Sequence, residues 1–283
     1  MPRRARIALI GAGVGVIGLM ATWYAAHYIG LVKHADVSIL AGFAGLDRPG
    51  VDQLTTFVAG LCNPHKYVVL ASVPVIVALV RRRFRVAAMI AIVIVGANET
   101  TQLLKPLLAG PRDYVPWSPI DSASWPSGHA TAAMSLALCS VIAAPARWRP
   151  VVAAAMAAFA IAVCYSFLEL SWHYPSDVLG GFLIAGTWTL LGIATLSISE
   201  ARRLGAGAAR GRRSAAFSVG EALAPVGGLV AVAAVSGGLL LLARPHAVIT
   251  YAQAHTAFVV GACGIGALGM MLAAGLTLIL RRG

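Results

Sequence analysis

Charge is what this chain has least of. Asp, Glu, Lys and Arg make up 11% of its 283 residues, where soluble domains carry about a quarter. With 59% of residues hydrophobic, there is too little polar surface to enclose one aqueous core, which excludes an ordinary soluble globular protein. Dyad alternation is lacking as well, so a transmembrane β-barrel, whose strands alternate lipid-facing and lumen-facing residues, is excluded. The four cysteines, Cys62, Cys139, Cys164 and Cys263, have neither CxxC nor paired spacing. They form no disulfide framework and no thiolate metal site, and three of them fall inside apolar stretches as packed thiols.

What the chain does have is a series of apolar runs of up to about 25 residues, against the roughly 20 that cross a hydrocarbon core. Eight are predicted, at 7–30, 67–80, 86–104, 129–144, 151–170, 177–197, 219–243 and 256–280, the second being the shortest. Lipid offers the backbone no hydrogen-bond partners, so these are helices. The predicted fold is all-α, a polytopic transmembrane bundle of about eight spans. The net charge of +12 would point to nucleic acid on a soluble protein. Here the basic residues cluster between spans, at 3–6, 81–85, 147–149, 202–213 and 281–282, and no nucleic-acid partner is expected. With eight spans every cluster falls on one side, which the positive-inside rule makes the cytoplasm. Both termini are then cytoplasmic, and the first run reads as a retained signal-anchor. The Gly/Ala/Arg stretch 202–213 reads as a surface loop on anionic lipid, or a contact for an acidic partner. Abundant alanine and the large excess of arginine over lysine point to a bacterial plasma membrane.

Six basic residues escape this rule: Lys33, Arg48, Lys66, Lys105, Arg112 and Arg244. All are predicted external. KPLLAGPRD (105–113) carries two of them, SGH (127–129) opens the fourth span, and LSWHYPSDVLGG (170–181) joins the fifth and sixth. The third to sixth helices thus bring polar ends to one surface, where Lys105, Arg112, Ser127, His129, His173 and Asp177 would ring a pocket. The first amides of a helix lack intrahelical partners and carry the positive end of its dipole. Ser127 and Gly128 at such an end offer an anion seat, beside which His129 can pass a proton near neutral pH. Alternatively Ser127 is a plain N-cap, Gly128 a hinge and His129 an interfacial polar residue. His173 and Asp177 lie four apart, and a carboxylate on one ring nitrogen would make the other more basic. The alternative is a helix-start Asp favoured by the dipole, with a neighbouring surface His.

These stretches resemble the signature of the phosphatidic acid phosphatase type 2 superfamily, K-x6-RP, PSGH and SR-x5-H-x3-D. KPLLAGPR (105–112) matches K-x6-R with Asp113 in place of proline, PSGH (126–129) matches in full, and HYPSD (173–177) matches H-x3-D. Phe167 stands where the third motif has arginine, and no Lys or Arg occurs between Arg149 and Arg202. The resemblance implies a six-helix phosphatase core (1–200), followed by a basic linker (201–217) and two additional helices (218–283). It implies that Lys105, Arg112, Ser127 and Gly128 hold the phosphoryl group, that His173 attacks phosphorus with Asp177 orienting it, and that His129 moves the proton. No metal and no cofactor are implied.

Glu169 lies one turn before His173, where it could pair with Lys105 or orient His173. Glu99 interrupts the third span near its outer end, as a support for Lys105 or a helix–helix hydrogen bond. Lys66, His65 or Arg48 could replace the absent arginine, and residues 36–62 read as amphipathic helices in the interface. The expected activity is that of a lipid phosphate phosphatase at the external leaflet, acting on a polyprenyl (di)phosphate or prenyl-linked phosphate. Phosphatidic acid or phosphatidylglycerophosphate hydrolysis, lipid phosphotransfer and non-catalytic lipid binding are the alternatives. The expected partners are the lipid phosphate substrate and membrane lipids; the sequence leaves the oligomeric state open.

Overall fold

The computed structural model describes residues 1–47, 50–113, 115, 117, 120–208 and 218–281. Arg48, most of the 201–217 linker and Arg282 lie outside the described residues. Eleven helices run in the order α1 (Arg3–Tyr28), α2 (Gly30–Ala44), α3 (Val51–Ala59), α4 (Pro64–Val80), α5 (Phe84–Leu107), α6 (Gly128–Ala143), α7 (Arg149–Glu169), α8 (Pro175–Ala208), α9 (Val219–Ala243), α10 (Pro245–Ala254) and α11 (Thr256–Arg281). The starts follow local chemistry. Pro64, Pro150, Pro175 and Pro245 sit in first turns, where a missing N–H costs nothing. Ser218 and Glu221 close a capping box on α9.

All eight predicted runs are helical. Among the described residues six helices are long and apolar enough to cross a bilayer, and the α3–α4 pair, bent by 60°, makes a seventh if taken as one span. The fourth predicted span differs: α6 has 16 residues, about 24 Å of helix. Thirteen of the 16 are buried, because α6 is the axis of the bundle, flanked by α4, α5, α7, α8 and α11. A helix walled by protein need not match the hydrocarbon thickness.

Close approach around α6 depends on glycine. A Cβ on Gly181 of α8 would lie 2.8 Å from the Ser127 carbonyl oxygen and from the Thr131 amide nitrogen. Thr101 of α5 and Thr131 share a hydrogen bond of 2.9 Å, and Tyr67 of α4 reaches Ser135 at 3.0 Å. The 36–62 segment is more embedded than an interfacial reading implies. Leu40 and Phe43 of α2 are buried in the core, and α2 packs on α11, α1 and α7. The two C-terminal spans are not equivalent. α11 buries Ile265, Ala273, Leu276 and Leu280, whereas α9 buries only Ala222 and presents Val232, Val235, Leu239 and Leu242 outward. The core helix α8 runs to Ala208, beyond the predicted boundary at 200.

The two ends of the bundle differ in chemistry. Arg4, Arg83, Arg149 and Glu200 line a cavity at one end. Lys105, His129 and His173 line a cavity at the other.

Candidate active site

Three helix ends build the site. Lys105 comes from the last turn of α5. Ser127 caps α6, its hydroxyl accepting from the Ala130 amide at 3.3 Å, and Gly128 and His129 follow as the first two helical residues. Ser171, at φ 58°, reverses the chain between α7 and α8, so that His173 precedes Pro175 and Asp177 falls in the first turn of α8. The Ser127 amide donates to the Asp177 carbonyl at 3.0 Å, which locks the α6 start onto the α8 start.

Asp177 is fully buried. Its Oδ2 accepts from the Tyr174 amide at 3.0 Å and from His173 Nδ1 at 3.2 Å. The carboxylate therefore fixes the His173 tautomer with the proton on Nδ1, leaving Nε2 as the basic nitrogen. His129 Nε2 lies 3.0 Å from Asn63 Oδ1, an acceptor, so this ring nitrogen is the donor. The two imidazole centroids are 6.3 Å apart. Phe167 packs against both, at 5.9 Å from His129 and 5.3 Å from His173, and Trp172 lies 5.6 Å from His129. The position that carries arginine in the family signature is thus a fully buried aromatic wedge that sets the spacing of the rings.

The cavity has a volume of about 590 Å³ and is lined by Lys105, Gly128, His129 and His173 at one end. It continues past Gln102, Glu99 and Asn98 to an apolar wall of Ile94, Val95 and Ala91 on α5, with Val68, Ala71 and Val75 of α4 opposite. Lys105 makes no ion pair among the described residues, and its charge is available to an anion.

Arg112 is placed otherwise than the sequence predicts. It does not line the cavity. Its Nη2 donates to Asp36 Oδ2 at 3.0 Å and to Ser176 Oγ at 2.9 Å, and lies 3.4 Å from Asp177 Oδ1. Its guanidinium stacks 4.3 Å above the Tyr174 ring, and its Nη1 is buried without a hydrogen-bond partner. Asp36 also accepts from the Ser176 amide at 3.0 Å and the Ser176 hydroxyl at 2.6 Å. One turn earlier on α2, Lys33 pairs with Asp113 at 2.6 Å, and the Tyr174 hydroxyl donates to the Asp113 carbonyl at 2.7 Å. The Asp113 departure from the signature proline is therefore matched by a cation on α2. Burial pushes the Asp36 carboxyl up to about 6, against the opposing pull of Arg112.

The remaining predicted residues divide. Glu99 lines the cavity. The Ser127 hydroxyl serves α6 as its cap and is fully buried. Lys66 is turned to the Phe57 ring at 5.6 Å and does not line the cavity. Glu169 is buried with both carboxyl oxygens unpartnered, so it meets neither Lys105 nor His173. Among the described residues no three His, Cys, Asp or Glu side chains converge as a metal site. The site residues that sequence reasoning missed are Asp36, Ser176, Asn63 and Gln102. Asp36 had a signal: it is the first acidic residue of the chain, one turn after Lys33. Asn63 had none beyond its place before Pro64.

The family model described as the PAP2 superfamily matches residues 84–199, which run from α5 through most of α8 and contain Lys105, Arg112, His129, His173 and Asp177. Among solved structures, the chain is similar to the crystal structure of the first transmembrane PAP2 type phosphatidylglycerolphosphate phosphatase from Bacillus subtilis, with a TM-score of 0.54 and 19% identity over 69% of this chain and 98% of that one. At that identity the likeness is one of fold. Among curated proteins none matches the chain.

Proposed function

We propose that the chain, whose residues 84–199 match the PAP2 superfamily model, is a membrane lipid phosphatase that hydrolyses a lipid-borne phosphate or diphosphate at the external membrane boundary through a phosphohistidine on His173. The observation that carries this reading is the shared cavity. His173, backed by Asp177, opens on the same space as His129 and Lys105, and that space runs on into an apolar wall.

The chemistry follows from these placements. Lys105 and the first amides of α6 neutralise phosphoryl oxygens, usually the largest contribution to such a barrier. Nε2 of His173 attacks phosphorus in line. The bond from phosphorus to the lipid or diphosphate oxygen breaks, and His129 gives that oxygen its proton. Neutral His129 then takes a proton from the water that attacks the phosphohistidine, and phosphate leaves. Asp177 stabilises the charged ring in between, and Arg112 holds Asp177 from behind.

The wall from Lys105 to Ala91 covers fourteen residue steps of α5, about 21 Å of helix, which suits a long apolar tail. A polyprenyl (di)phosphate fits this wall. A second reading has its own observation: Asn98, Glu99 and Gln102 form a polar band between Lys105 and the apolar wall. A prenyl chain has no polar group at that depth, whereas a glycerol-backed phosphate, the class from which the similar phosphatase takes its name, has hydroxyl or ester groups there. Assaying prenyl diphosphate, phosphatidic acid and phosphatidylglycerophosphate side by side in EDTA separates the two. His129→Ala and His173→Ala are expected to lower phosphate release by at least about a thousandfold; release at the wild-type rate rejects the proposal.

A further inference from the structure

At the end of the bundle opposite the histidines, Arg4 of α1, Arg83 of the α4–α5 turn and Arg149 of α7 converge on a second cavity of about 230 Å³. Ser197 and Glu200 of α8 and Leu280 of α11 also form part of its wall. Positive-inside sorting requires arginines at this end of the helices, but not their convergence on one recess. Like charges gathered in a recess repel, and an arginine left bare there forgoes the hydrogen bonds that its five N–H groups demand.

The protein itself supplies few partners. Arg83 Nη1 donates to the Ile142 carbonyl at 3.1 Å and Arg149 Nη1 to the Leu280 carbonyl at 3.3 Å. The Arg4 side chain makes no hydrogen bond among the described residues, and the Nε atoms of Arg4 and Arg149 are buried without partners. Glu200 is the one acid in the lining, and it forms no ion pair within 4.0 Å; the ion pairs of the described residues all belong to the Arg112 and Lys33 clusters or to His173. The recess therefore holds three guanidinium groups against one carboxylate, with buried donors unused.

We propose that this recess is a second, non-catalytic anion site that binds one phosphate group. Guanidinium forks match the paired oxygens of a phosphate, and charge-assisted hydrogen bonds to it are strong. The recess exceeds a bare phosphate ion and is too small for a lipid tail, so the ligand is either free inorganic phosphate or the headgroup phosphate of an anionic phospholipid in the adjoining leaflet. Because α1, α7, α8 and α11 all contribute, the ligand joins the first helix and the last to the phosphatase core.

The test reads thermal unfolding of the full chain in lipid nanodiscs, with His173→Ala in every sample to remove turnover. Discs are phosphatidylcholine alone, phosphatidylcholine with inorganic phosphate, and phosphatidylcholine with a fifth phosphatidylglycerol. A near-saturating ligand is expected to raise Tm by about 4 °C or more, and Arg4→Gln with Arg149→Gln is expected to abolish the rise. The pair Arg3→Gln with Arg147→Gln removes the same charge from exposed positions at the same end and is expected to leave it intact. A rise with phosphate identifies the free ion; a rise with phosphatidylglycerol alone identifies the headgroup. If neither ligand raises Tm, if the Arg4/Arg149 pair responds like the parent, or if the Arg3/Arg147 pair loses the response too, the site is refuted. Arg83→Gln serves the same purpose should the double variant fail to fold.

Discussion

Asp36 shows how a single side chain, remote in sequence, completes the site. It holds Arg112 and Ser176 from a helix outside the 84–199 match, and so steadies the backing of Asp177. Removing such outer support typically costs ten- to a hundredfold in activity, and Asp36→Ala is expected to lower kcat by about that much with little change in KM. Its titration gives a second signature. The carboxyl is raised from 3.8 to about 6 by burial, so between those values the folded chain keeps a proton that the unfolded chain has released. Stability then falls as pH rises through that window and is flat above it. Asp36→Asn removes this dependence, and its Tm is expected to gain on that of wild type between pH 4 and 6 in a thermal melt series. The sequence marked Asp36 as an isolated acid but not its roles: the spacing of Arg112 from Lys105 was legible, but its partner lies 76 residues away. The same holds for Asn63 and His129, 66 residues apart. Motif spacing reports residues on one helix end, while partners across the bundle are chosen by packing.

At the scale of elements, the apolar runs located every membrane helix, since burial in lipid leaves the backbone no alternative. They misjudged what surrounds each one. α6 reads like any other span, yet it is walled by protein and shorter than its neighbours. At its start, the Gly180–Gly181 pair on α8 lets the chain sit against another backbone. Gly181→Ala is expected to cost about 1–3 kcal/mol by overpacking and to displace the seat of His129, so activity falls together with Tm. Gly228 in peripheral α9 has nothing within 4 Å of its Cβ position. There alanine is expected to be neutral or to stabilise by up to about 1 kcal/mol through helix propensity. Melting the two variants side by side checks whether packing or propensity governs.

On the scale of the whole molecule, charge is sorted end from end: arginine clusters at one, the Lys105–His129–His173 cavity at the other. Under the positive-inside rule, the orientation proposed above has the site outside the cell. In a cysteine-free background, an impermeant thiol reagent applied to whole cells is expected to label Asp121→Cys, at an exposed position between α5 and α6, and to spare Arg82→Cys until the membrane is opened. The reverse pattern would invert the topology. The central chemical claim, that His173 carries the phosphoryl group, is tested most directly by the stereochemistry at phosphorus. A chiral thiophosphate substrate is hydrolysed in isotopically labelled water and the configuration of the released thiophosphate is read. Two in-line displacements through His173 predict net retention; inversion, the mark of direct attack by water, would contradict the account.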